Sequence, residues 1–267
     1  MWAIVFFHIH TVGSQVRIRI APLMTWQRGC VFTLTLLFTS LLQGTIMCGR
    51  FALKAPPRSV QEHFHLPETV DLSPRYNVAP SQEIAVVRQL PGNSLRQLDM
   101  LRWGLIPPWA KDMKIGYRMI NARAETLAQK PSFRSAFKRR RCLVAADGFY
   151  EWKHAGKTKE PFLVQLQEES VFGFAGLWEA WSSPDGNLVE SCTIITTSAN
   201  ELIGEIHDRM PVILHPEHYE SWLQDSSAEK TLQQLLIPFP AAEMKMYRVS
   251  PLVNSPKNDT PDCIRPI

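Results

Sequence analysis

A cysteine directly after a methionine, Met47-Cys48, offers chemistry that no internal cysteine has. Removal of Met47 would leave Cys48 with a free α-amine and a thiol on adjacent carbons. Such a 1,2-aminothiol captures aldehydes: the amine condenses to an imine, the thiol closes on the imine carbon, and a five-membered thiazolidine results. An α-amine titrates at about 7.7–8.0 and a thiol at about 8.5, so reactive forms of both exist near neutrality. Three further side chains have the right types to assist. Glu151 lies between Tyr150 and Trp152 in an apolar stretch. Strand alternation places it on a wet face or buries it as an acid able to trade protons with an imine or hold the amine. His207 in His207-Asp208-Arg209-Met210-Pro211 is either a cation closing a helix or a general acid/base that opens a sugar hemiacetal. Asn121 can cap a turn, recognise a sugar or orient a catalytic partner.

These residues must be positioned by short alternating elements. Pro57 to Phe64 starts on proline and puts Val60 and Phe64 on one side, which predicts a helix. Glu83 to Gln89, Leu98 to Leu105, Cys142 to Ala146, Phe149 to Lys153, Phe162 to Leu166, Val171 to Trp181, Leu188 to Thr197 and Tyr247 to Val249 predict strands. Asp147-Gly148 and Ser183-Pro184-Asp185-Gly186 supply turn chemistry between them. Further helices are expected over Pro131 to Phe137, Pro216 to Leu223 and Ala228 to Leu235. Another should start at the capping box Ser198-Ala199-Asn200-Glu201 and run through Ile206. With no internal repeat or heptad, the pattern implies a single α+β domain with a curved, mainly antiparallel, barrel-like sheet flanked by helices.

Composition narrows the function classes. The chain has 267 residues and a formal charge of +4, but residues 1–46 carry Arg17, Arg19 and Arg28 and no acid. The remainder is almost balanced, so nucleic-acid binding must rest on a local groove and not on a bulk positive field. The run Lys138-Arg139-Arg140-Arg141 is read as a solvated face. Cys30, Cys48, Cys142, Cys192 and Cys263 form an odd set without CxxC spacing, which suits a reducing cytoplasmic location and argues against zinc or a disulfide framework. The pairs His63-x-His65 and His215-x-x-His218 fit exposed helix surface better than metal. No metal and no cofactor is expected.

Residues 1–46 are of another kind. The apolar run Val31 to Leu42 after three arginines superficially resembles a secretion signal, but it is short, Thr-rich and lacks a small-x-small cleavage site. It reads as upstream sequence translated ahead of a working start at Met47, or as a leader. With Met47 as the start, no membrane association is expected, and residues 47–267 form the working domain.

Six motifs, taken together and in order, resemble one family, the SOS-response-associated peptidases. They are Cys48-Gly49-Arg50-Phe51, Arg75-Tyr76-Asn77-Val78-Ala79-Pro80, Trp103-Gly104-Leu105-Ile106-Pro107, Asn121-Ala122-Arg123-Ala124-Glu125, Gly148-Phe149-Tyr150-Glu151-Trp152 and His207-Asp208-Arg209-Met210-Pro211. The resemblance runs from Met47 to about Pro266. It implies a monomeric sensor of abasic sites in single-stranded DNA that crosslinks the ring-opened sugar through the exposed cysteine and shields it from strand scission. Carried over by motif, Cys48 is the double nucleophile, while Asn121, Glu151 and His207 sense and stabilise the sugar. Arg50, Arg123 and Arg209 then hold phosphates, with Asn77 and Trp109 as further DNA contacts. The 46-residue extension departs from the family pattern. Two rival functions share these residue types: a Cys-His-Asn peptidase built on Cys48, His207 and Asn121, and a noncovalent single-stranded DNA-binding module.

Overall fold

The computed structural model describes residues 8–12, 15–19 and 49–267, apart from 69, 91–94 and 157. The chain divides into two units, residues 1–44 and 45–267. In the first, β1 (His8–Val12) pairs antiparallel with β2 (Gln15–Arg19). The apolar run from Val31 to Leu42 lies outside the described residues. Among those described, no helix is long and apolar enough to cross a membrane.

The second unit begins with β3 (Phe51–Leu53), α1 (Pro57–Phe64), β4 (Arg75–Val78), β5 (Glu83–Gln89), β6 (Arg96–Trp103) and β7 (Asn121–Arg123). It continues through α2 (Arg134–Arg139), β8 (Arg141–Ala146), β9 (Gly148–Ala155), β10 (Thr158–Leu166), β11 (Phe172–Ser182) and β12 (Leu188–Ser198). Last come β13 (Arg209–Pro211), β14 (Ile213–Leu214), α3 (Tyr219–Leu223), α4 (Glu229–Gln234) and β15 (Met244–Arg248), with 3-10 turns between and after them. Strands β12, β6, β5, β8 and β11 are hydrogen-bonded in that order, and β11 pairs back to β12, closing a five-stranded barrel. The closure is antiparallel except at β6 and β12, which run parallel through Arg102 opposite Ser191 and Trp103 opposite Cys192. A second sheet has the order β15-β10-β9-β3-β4. This is the α+β, barrel-like class that the strand pattern implied.

Barrel strands are apolar on both faces because both are covered. On β8, Leu143 and Ala145 join Val60, Phe64, Phe137 and Trp222 beneath the helices. The alternate residues Cys142, Val144 and Ala146 join Val86, Trp103, Phe174 and Ile194 in a second cluster, which pleating assigns to the barrel interior. Gly176 makes the interior tight enough to exclude a side chain: a Cβ there would stand 3.0 Å from Cys142 Sγ and 3.0 Å from the Thr193 carbonyl. The interior continues into the second sheet, where the Phe51 ring lies 5.3 Å from Trp103 and Phe149 lies 6.0 Å from Phe174, centroid to centroid.

Three local expectations are corrected. The basic run is not one solvated face: Lys138 and Arg139 are exposed, but Arg140 pairs with buried Glu179, and Arg141 is buried. Arg141 donates to the carbonyls of Phe137, Lys138, Trp222 and Gln224, tying α2 and α3 to the barrel. The helix expected from Ser198 to Ile206 shrinks to a 3-10 turn, Ile203–Glu205. Ser198 is already paired with Arg209 across β12 and β13, so the intervening loop must return on itself; Asn200 Oδ1, not Ser198, accepts from the Ile203 amide. His63 is half-buried against Tyr219, its Nε2 2.9 Å from the phenol oxygen, and His215 stacks on Phe239. Among the described residues no three His, Cys, Asp or Glu side chains gather as a metal site.

Asp147 does more than turn the chain. It hands the backbone from β8 in the barrel to β9 in the second sheet, with one carboxylate oxygen accepting from the amides of Lys54 (2.6 Å) and Ala55 (2.7 Å). Its other oxygen is buried without a partner among the described residues. Burial raises the Asp147 pKa, against the opposing pull of Lys54 and those two amides. A carboxyl raised in the folded state binds its proton more tightly there than in the unfolded chain. Stability from this group is therefore greatest below the unfolded value of about 3.9 and falls as pH rises toward the folded value. Asp147→Asn keeps an acceptor for both amides and removes the charge. The stability advantage of this variant over wild type should thus widen from pH 4 upward and then level off, which denaturant midpoints at several pH values will read.

Candidate functional site

The site is built where β3 enters the second sheet. Phe51 pairs with Phe149 and Ala52 with Gly148, and the Tyr150 amide donates to the Arg50 carbonyl at 3.0 Å. Carried one residue back, this register sets Gly49 across from Glu151. Cys48 itself lies outside the described residues. Glu151 is 2% exposed and shares the face of β9 that carries Phe149 toward the barrel core, while Tyr150 faces the other way. Of the two readings of this glutamate, the structure takes the buried one.

Arg50 immediately precedes β3, which lies between β9 and β4 in the second sheet. Its Nη1 donates to Asn77 Oδ1 at 2.8 Å and to the Val253 carbonyl at 2.7 Å, and Nη2 donates to the Asn254 carbonyl at 3.3 Å. Burial lowers the Arg50 pKa from its ordinary value. Asn77, expected as a DNA contact, is fully buried; its amide donates to the carbonyls of Val253, Ser255 and Asn258. In this structure it is therefore a bracket behind Arg50.

A second group assembles around the end of β12. There β7 pairs parallel with it, Ile194 opposite Asn121 and Thr196 opposite Arg123, while β13 pairs antiparallel, Ser198 opposite Arg209. Arg209 crosses β12 to grip the Glu125 carboxylate through both Nη atoms, at 2.6 and 3.0 Å, and also donates to the Thr196 carbonyl. That hydrogen-bonded pair lowers the Glu125 pKa. Arg123 is exposed on β7.

His207 is fixed by its own backbone. Nδ1 lies 3.0 Å from the Arg209 amide, 3.2 Å from the Arg209 carbonyl and 3.3 Å from the exposed Asp208 carboxylate. The amide is nearest and can only donate; in the tautomer whose Nδ1 accepts from it, the proton is on Nε2. The ring is 7% exposed, and Nε2 is buried without a hydrogen-bond partner among the described residues. Among the described residues, no oxygen accepts from that position.

The two groups share one wall: Phe51 packs on Trp103, whose indole donates to the Ile120 carbonyl at 2.9 Å, one residue before Asn121. Trp109 stands apart on a loop, 57% exposed, with the next carbonyl, Ala110, accepting from the Trp181 indole. Among the described residues the cysteines are Cys142, Cys192 and Cys263, all buried, and burial pushes the thiols of Cys142 and Cys192 far up. Sequence reasoning missed the C-terminal partners of Arg50 and Asn77. The polar run Lys257-Asn258-Asp259-Thr260 was the available signal.

The chain is similar over most of its length to known proteins. The abasic site processing protein YoqW of Bacillus subtilis is 51% identical over 223 residues, which cover 82% of this chain and 99% of the relative. The abasic site processing protein HMCES of Gallus gallus is 34% identical over 224 residues, covering 73% and 66%. A solved structure of a protein from Bacteroides thetaiotaomicron superposes with a TM-score of 0.74 at 28% identity, over 82% of this chain and 100% of that one. The family model described as SOS response associated peptidase (SRAP) matches residues 47–256, and the chain belongs to that family.

Proposed function

We propose that this protein processes abasic sites in single-stranded DNA as part of the DNA damage response, capturing the lesion covalently through Cys48 once Met47 is removed. The observation that carries the reading is the register of β3 on β9, which brings the chain leaving Cys48 alongside buried Glu151. The names of the relatives support the substrate, and the start of the family match at Met47 supports residues 47–267 as the working domain.

The chemistry needs no outside reagent. The Cys48 amine adds to the aldehyde carbon of the ring-opened sugar, water leaves to give an imine, and the thiol adds across that imine to close the thiazolidine. One water is released per lesion. Nε2–H of His207 is suited to donate to the sugar ring oxygen as the hemiacetal opens, and Glu151 to carry protons on and off nitrogen. Arg50, Arg123 and Arg209 hold phosphates, and the exposed Trp109 offers a stacking face for an unpaired base. Asn121 orients the opened sugar. The protein acts as a monomer in the cytoplasm, bound to DNA, and its (auto)peptidase activity exposes Cys48.

A denaturing gel tests this directly. Incubation with single-stranded DNA carrying one abasic site should give a heat-stable, stoichiometric adduct, and mass spectrometry should find Cys48 at the native N-terminus. Complexes that all fall apart on heating in detergent would leave only the noncovalent binding module.

A further inference from the structure

Arg50 differs from the closely ion-paired arginines in what surrounds it. Arg75, Arg88, Arg140 and Arg209 each grip a carboxylate, Asp259, Asp99 with Glu190, Glu179 and Glu125 respectively. Arg50 is met by neutral oxygens, the Asn77 amide and the carbonyls of Val253 and Asn254, and has no ion pair among the described residues. A half-buried guanidinium held this way keeps its whole charge while losing its torsional freedom, so an anion meets a site already formed.

The carbonyls come from a 3-10 turn, Pro251–Asn254, whose final oxygens lack partners within the turn and attract a cation. That turn belongs to a strap, residues 250–259, fastened at several points. Asn77 donates to three of its carbonyls, and Asn258 Nδ2 closes it internally on the Leu252 carbonyl at 2.8 Å. Asn254 Oδ1 accepts from the Trp152 indole at 2.7 Å, one residue from Glu151. At its end, Asp259 accepts from Arg75 Nε at 2.6 Å and from the amides of Tyr76 and Asn77 at 2.5 and 2.9 Å. Asp259 thereby anchors the strap to the strand that carries Asn77.

We propose that the 250–259 strap is part of the DNA site: it fixes Arg50 as the seat of one phosphate beside the lesion, and Asp259 is the positioning residue that holds it there. This rests on the reading of the protein as a binder of abasic single-stranded DNA.

The test measures binding of lesion-free single-stranded DNA against salt concentration. Each phosphate contact on a single strand contributes about 0.7 to the slope of log affinity against log salt. Arg50→Ala should lower the slope by about that amount. Asp259→Ala should do the same by releasing the strap, with several-fold weaker binding. The double variant should fall no further than either single one, since both remove one contact. Asp259→Asn, which still accepts from the two amides, should recover most of the affinity, a rescue that also controls for misfolding. An unchanged slope in Asp259→Ala, or losses that add in the double variant, would overturn the proposal. Abasic capture is read separately: a wild type that makes no heat-stable adduct but shows this slope behaviour would sink the capture mechanism and leave the strap standing.

Discussion

Placing one permanent alanine between Met47 and Cys48 is expected to reduce the heat-stable DNA adduct to background. The insertion turns the cysteine nitrogen into an amide, whose delocalised lone pair cannot form an imine. The thiol alone can add to the aldehyde only as a reversible hemithioacetal, and the new alanine amine can give only a hydrolysable imine. Neither survives heating in detergent. Cys48→Ala makes the complementary prediction: its amine is intact, so a borohydride-trapped adduct should persist while the untrapped, heat-stable one is lost. Any fully stable adduct from the alanine-extended protein would remove the aminothiol from the mechanism. Peptide cleavage that persists in that protein would instead favour a thiolate peptidase, which needs no free amine.

The contrast between these variants isolates two nucleophiles on one residue, and it explains how much of the protein could be read before folding. Where a signal is local, the sequence carries it. Proline at the first helical position and apolar residues four apart placed α1 at Pro57–Phe64, and a β-branched run placed β5 at Glu83–Gln89. What closes the barrel is not local. β6 and β12 meet through two residue pairs far apart in the chain, and no alternation of side chains announces that contact.

The same division runs through the site. Glu151 stood out as an acid among aromatics, and His207 as an imidazole beside Asp208 and Arg209. Asn77 did not reveal itself as a bracket, because the carbonyls it binds belong to a strap near the other end of the chain. Arg141 read as one more surface cation because nothing in Lys138 to Arg141 says which member turns inward. Only the crossing of α2 and α3 over β8, with carbonyls left over at both helix ends, makes a buried guanidinium satisfiable there.

His207→Asn should separate catalysis from stability in opposite directions. Asparagine can keep an acceptor near the position of Nδ1 for the Arg209 amide, so the β13 entrance holds, but it has no donor reaching the position of Nε2. Losing a general acid typically lowers a rate about 10²- to 10⁴-fold, and adduct formation should slow within that range when single-turnover kinetics are followed at saturating DNA. Stability should move the other way or not at all. The wild-type ring holds a buried donor without a partner among the described residues, a condition that costs about 1–3 kcal/mol and that the variant relieves. A residue kept for packing would give the reverse signature, with a lower unfolding midpoint and unaltered capture, and a rate within a few-fold of wild type would take His207 out of the chemistry. On the proposed reading, the sugar oxygen freed by ring opening accepts the hydrogen bond that Nε2 lacks among the described residues, so a slow variant with an undiminished unfolding midpoint is the signature of that contact.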